Sequence, residues 1–106
     1  MKRLKLNIKE RVMLPEVLPQ SGNKLQQIIV RGLILKTEFK PAEIDKYGLT
    51  FTPQGVAWNE KAKSAQFEYE VSEAEISILK EAAGTLDKEA RVTQHNLSLI
   101  EKIETL

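Results

Sequence analysis

Two periodicities divide this chain. Between residues 49 and 71 apolar positions recur every second residue. Leu49 and Phe51 alternate with Thr50 and Thr52, and Phe67, Tyr69 and Val71 alternate with Gln66, Glu68 and Glu70. Period two is the mark of half-buried antiparallel strands. Pro53-Gln54-Gly55 is a turn, Val56-Ala57-Trp58 a further strand, and Asn59 to Ser64 a polar loop. The stretch therefore predicts a short antiparallel meander of two to three strands. Leu4, Leu6 and Ile8 also alternate with basic residues, which suggests a short strand able to pair with that meander.

Elsewhere the pattern is helical. Asn7 with Glu10 three residues on forms a capping box, so a helix starts near Ile8, with Val12, Met13, Val17 and Leu18 on one face. Pro15 removes the bond to the Arg11 carbonyl and is expected to kink or end this helix. Pro19 to Gly22 is a loop. Asn23 to Phe39 carries two β-branched runs, Ile28-Ile29-Val30 and Leu33-Ile34-Leu35. Its length, the Asn23/Gln26 cap and apolar residues at 25, 28, 29, 33 and 35 or 39 favour a helix, expected to be the most buried one. Gly32 costs about 1 kcal/mol against alanine there, tolerable where a neighbour approaches closely. Pro41 and Gly48 bracket a short helix over Pro41 to Tyr47. Ser72 and Glu75 open another, whose stripe is Ile76, Leu79, Ala83, Leu86 and Ala90. Thr93 caps a last helix with Leu97, Ile100 and Ile103 inward. The expected fold is one small α+β domain with about five helices around the meander.

Composition narrows the chemistry. A chain of 106 residues with 42% hydrophobic and 29% charged residues is an ordinary globular domain. The absence of cysteine excludes disulfides, thiolate metal sites and cysteine nucleophiles. There is no apolar run long enough to span a bilayer and no apolar segment after the basic start, so a cytoplasmic location is expected. Residues 1–46 hold ten Lys/Arg against five Asp/Glu, a net +5, while residues 47–106 hold six against ten, a net −4. Such segregation suits a phosphate-bearing or acidic partner, or the acidic half of a second copy.

No catalytic or cofactor pattern is present. His95 is the only histidine, without a second soft ligand in sequence. Glu68 and Glu70 share one strand face, Glu73 and Glu75 suit a helix N-terminus, and Glu43 and Asp45 lie on the short helix. No glycine-rich phosphate loop or nucleophile elbow occurs, so no cofactor or metal is expected and the chain reads as a non-enzyme. Phe51, Phe67 and Tyr69 are spaced to line one face of the meander, and Trp58, at a strand end, is placed to close the core edge or to anchor a partner.

Two partner classes remain. The order helix, helix, short helix and strand pair is loosely that of a winged-helix DNA-binding domain. Pro41 to Tyr47 would be the reading helix and Asn59 to Ser64 the wing, with Lys40, Lys46, Lys61 and Lys63 as nucleic-acid contacts. Glu43 and Asp45 on the reading helix oppose that role. The leading expectation is therefore a protein partner, met by the basic N-terminal surface of Lys2, Arg3, Lys5, Lys9 and Arg11. Self-association through the opposed charges is a third expectation.

The run Glu10-Arg11-Val12-Met13-Leu14-Pro15-Glu16-Val17-Leu18-Pro19-Gln20-Ser21-Gly22-Asn23 resembles the opening of a group of small phage and prophage proteins. Trp58-Asn59, Leu86-Asp87-Lys88 and Leu99-Ile100-Glu101-Lys102-Ile103 are similar to that group's tail, which has aromatics where Ile100 and Ile103 stand. The resemblance spans about Leu6 to Glu104. It implies a phage or mobile-element origin and carries no functional residue.

Overall fold

In a computed structural model that describes residues 2–106, the chain folds as β1 (Lys2–Leu6), α1 (Ile8–Val17), α2 (Lys24–Thr37) and α3 (Pro41–Tyr47). It continues through β2 (Thr50–Thr52), β3 (Gly55–Ala57), a 3-10 turn (Glu60–Ala62), β4 (Phe67–Val71), α4 (Glu73–Lys88) and α5 (Leu97–Glu104). This is a single α+β domain of five helices, as the periodicities require. No helix in the described residues is long and apolar enough to cross a membrane.

The strands form two small antiparallel sheets where a single meander was expected. β2 and β3 make a tight hairpin, Phe51 opposite Val56, turning through Pro53-Gln54 with Gly55 at φ 141°. β4 leaves that hairpin and pairs with β1, Leu4 opposite Tyr69 and Leu6 opposite Phe67. The 3-10 turn between them redirects the chain. Asn59 accepts from the Ala62 N–H, donates from its side chain to the Lys46 carbonyl, and donates its own N–H to Tyr47 O at 2.8 Å. These bonds anchor the turn on the end of α3, and the chain runs on from it into β4.

One face of the β1/β4 ribbon carries Leu4, Leu6 and Val71 into the main core. They meet Leu14, Leu18, Leu33, Leu79, Leu99 and Ile103 there. A smaller core of Ile8, Leu49 and Ala62, flanked by Phe39, Tyr47, Trp58 and Phe67, seats the 3-10 turn on α1 and α3. α4 contributes the largest buried set of any helix, Ile76, Ile78, Leu79, Ala82, Ala83 and Leu86. Ala90 lies past its end in the left-handed region at φ 57°, where Arg91 N–H closes on Leu86 O. In α5 the inward set is Leu99, Ile100 and Ile103, with Thr93 and Asn96 exchanging side-chain-to-backbone bonds ahead of it.

α2 is helical but not the most buried. It lays only Val30, Leu33 and Thr37 fully inward, while Leu25, Ile28 and Leu35 are exposed to 67%, 44% and 54%. Its sequence is apolar on two sides and the domain covers one of them. α1 passes Pro15 and ends two residues later at Val17, since the Leu18 N–H still reaches Leu14 O. The residues it buries are Ile8, Glu10, Arg11, Leu14 and Val17, while Val12 and Met13 are only half-buried. Three helix starts are fixed by reciprocal caps, at Asn7/Glu10, Asn23/Gln26 and Ser72/Glu75. Glu10 also takes Lys102 of α5, tying the first turn of α1 to the last turn of α5. Replacing Ser72 with alanine removes the cap of α4 and is expected to lower the unfolding free energy by about 1 kcal/mol in urea titrations.

Candidate functional site

Arg11 sits on α1 one turn from its cap, and its side chain is 2% exposed. Its Nε donates to Thr37 O at 3.0 Å and its Nη2 to Glu38 O at 2.9 Å. Those carbonyls are the free acceptors at the C-terminus of α2, where a cation is favoured. The fork also grips Glu43 with both oxygens, from Nη1 at 2.7 Å and Nη2 at 3.1 Å. The guanidinium carbon lies 4.1 Å from the Phe39 ring centre and 4.4 Å from that of Phe67. One side chain thus joins α1 to the end of α2, the first turn of α3 and strand β4.

Beside this clamp an apolar groove of about 280 Å³ opens to solvent. Val12 and Pro15 of α1 form one wall, Ile34 and Phe39 the next, and Phe51 and Val56 of the hairpin the third. Phe51 is 56% exposed, its ring centre 6.3 Å from that of Phe39. It does not share a face with Phe67 and Tyr69, as the alternation had suggested, because it belongs to the other sheet. Across the hairpin a wider depression of about 550 Å³ is more polar, lined by Lys9, Glu16, Gln54, Trp58 and His95 among others. Nothing in the sequence marked the groove. Val12 and Phe51 read as core there, and only folding leaves the hairpin standing beside α1 with its aromatic uncovered.

The five cations of the expected N-terminal surface are dispersed. Arg11 is interior, a correction with a clear cause: its charge is consumed by Glu43 and two helix-end carbonyls. Arg3 reaches Glu68 at 3.3 Å and Glu70 at 4.0 Å, and Lys5 reaches Glu68 at 3.7 Å, across the outer face of the β1/β4 ribbon. Lys2 and Lys9 are exposed, without an ion pair among the described residues. The nucleic-acid set is no better gathered. Lys40 lies 3.6 Å from Glu38, Lys46 rests over the Tyr47 ring, and Lys63 lies 3.1 Å from Glu60. Residues 59–64, expected as a wing, form the 3-10 turn and its flanks, with Lys61 exposed within it. The true hairpin tip is Pro53-Gln54, which carries no cation.

Glu43, Glu68, Glu70 and Glu75, from the three carboxylate pairs, have structural partners. Hydrogen bonding from Arg11 holds the Glu43 carboxyl below its ordinary 4.5, against partial burial. Partial burial pushes Glu75 upward, but bonds from Lys36 and Ser72 outweigh it and leave that carboxyl lowered too. Burial raises the Tyr69 hydroxyl. Among the described residues no three His, Asp or Glu side chains come together as a metal site. Comparison of the chain with protein-family models, with curated proteins and with solved structures gives no match.

A carboxylate with a lower pKa folded than unfolded adds stability above its unfolded value. That stability is lost as pH falls through the folded one. Acid unfolding of the wild type is therefore expected to steepen below about pH 4.5. Glu43→Gln should flatten this limb and cost about 2 kcal/mol at neutral pH, measured by urea titration across the pH range. Arg11→Met, which leaves Glu43 and two carbonyls without their donor, is expected to cost about 3 kcal/mol in the same titration.

Proposed function

We propose that this protein acts by binding another protein, without catalysis, and that the groove between α1, the end of α2 and the β2/β3 hairpin receives an apolar side chain of its partner. The observation that carries this reading is the exposed Phe51 beside an apolar cleft whose one buried cation, Arg11, is already neutralised by Glu43. An aromatic lip over a preformed apolar cleft provides the buried centre of a small protein interface. A charge already satisfied by its own carboxylate adds no desolvation cost when that cleft is covered. The phage or mobile-element setting implied by the sequence resemblance is consistent with a small contact protein.

DNA binding is the second reading. Its support is the helix order and the neutralisation of Glu43 by Arg11, which removes one of the two acids from α3. A hairpin tip without a cation and a reading helix of 7 residues weaken it.

A photo-crosslinking residue at Phe51 is expected to trap a discrete protein in the expressing cell, and one at Lys80, on the outer side of α4, is not. Identical products from both positions would remove the groove assignment. Phe51→Ser should abolish the trapped product from a crosslinker placed at Val56. Phe51 is nearly half covered and packs on Phe39, so the change should cost about 1 kcal/mol, leaving the domain folded. Duplex binding whose affinity falls steeply with salt would favour the second reading instead.

A further inference from the structure

The uncovered side of α2 is a second surface, separate from the groove. Leu25, Ile28, Gly32 and Leu35 succeed one another at intervals of three, four and three residues. That is the spacing of one seam of a two-helix coil, and it lies opposite the inward residues Val30 and Thr37. The three large side chains are among the most exposed hydrophobics of the domain. At the fourth position, a Cβ built on Gly32 meets nothing within 4 Å. The glycine is therefore not explained by any neighbour within the domain. It leaves a notch in the middle of an apolar seam.

The seam is symmetric about Val30. Turned end for end, Leu25 faces Leu35, and Ile28 faces Gly32. An isologous contact requires this relation, in which residue i meets j while j meets i. We infer that a second copy of this chain docks here, α2 antiparallel to α2, with Ile28 of each copy seated in the Gly32 notch of the other. The charges flanking the seam fit the same register. Lys24 of one copy comes beside Glu38, the residue that caps the end of α2, of the other, at both ends of the contact. Arg31 meets its own counterpart across the axis, the one unfavourable pair. It is long and exposed, and can turn its head to water. A helix of 14 residues is about 21 Å long, and one seam of it covers less than the roughly 800 Å² a side of a stable complex. The dimer is accordingly reversible and concentration-dependent.

Sedimentation equilibrium on the full chain tests this. The wild type should rise from 12.0 kDa toward twice that mass as concentration increases to about 1 mM, where a contact of millimolar Kd is half assembled. Gly32→Leu fills the notch in open space, so it should raise thermal stability yet hold the protein at 12.0 kDa. Leu25→Lys and Leu35→Glu should each be monomeric alone. Mixed together they should restore the dimer, since the antiparallel register sets Lys against Glu at one end and Leu against Leu at the other. Circular dichroism confirms that each variant is folded. A wild type that stays at 12.0 kDa throughout overturns the inference and leaves the seam to a different protein. Dimers that survive Gly32→Leu overturn it as well, and so does a mixture that fails to reassociate.

Discussion

The structure depends on one buried cation. Arg11 lies inside the domain with four hydrogen bonds, a bidentate carboxylate and aromatic rings against its guanidinium. Removing a guanidinium from water costs several kcal/mol, and only near-complete pairing offsets that loss. Here the pairing comes from groups that also need a partner. The carbonyls of Thr37 and Glu38 end a helix, and the Glu43 carboxylate opens the next. Each would be under-satisfied without the arginine. The turn between α2 and α3 is held by this bond set more than by apolar contact, since α3 buries no residue fully. What rests on α3, the 3-10 turn and through it the course of β4, depends on the same clamp.

The division into two cores follows. The larger one is built by the β1/β4 ribbon with α4 and α5, and its outer face is closed electrostatically by Arg3 and Lys5 against Glu68 and Glu70. Exposed pairs of this kind add little stability, but they leave the ribbon with little net field. The N-terminal positive charge that looks available in a linear sequence is mostly cancelled in space. The smaller core supports the hairpin on one side only, so Phe51 and Val56 overhang α1 and a cleft remains below them. Apolar surface that would elsewhere be covered stays open in two places, the groove and the outer seam of α2. Single exposed hydrophobics are unremarkable in small domains; ordered sets around a cleft or along a helix are less so.

Much of the fold was legible along the chain. The Asn7/Glu10, Asn23/Gln26 and Ser72/Glu75 caps mark helix starts because each is a bond between residues three apart, complete in itself. Gly48 ends α3 for an equally local reason, the left-handed backbone at φ 59°. The alternation in β1 and β4 correctly divides an inner from an outer face. The candidate site was hardly legible. Arg11 reads as a surface base because nothing within several residues of it reveals Glu43, 32 positions away, or the Thr37 carbonyl, 26 away. Phe51 and Phe67 read as neighbours on one sheet, and only the Asn59-anchored turn sends them to different ones.

The sequence by itself therefore determined the helices, their number and most of their starts, since caps, turns and periodicity act over a few residues. Tertiary structure alone decided which strand pairs with β4, which apolar side of α2 is covered, and whether a charge is free or spent. Those choices rest on contacts between distant residues, where desolvation and pairing are settled together and no local pattern records the outcome.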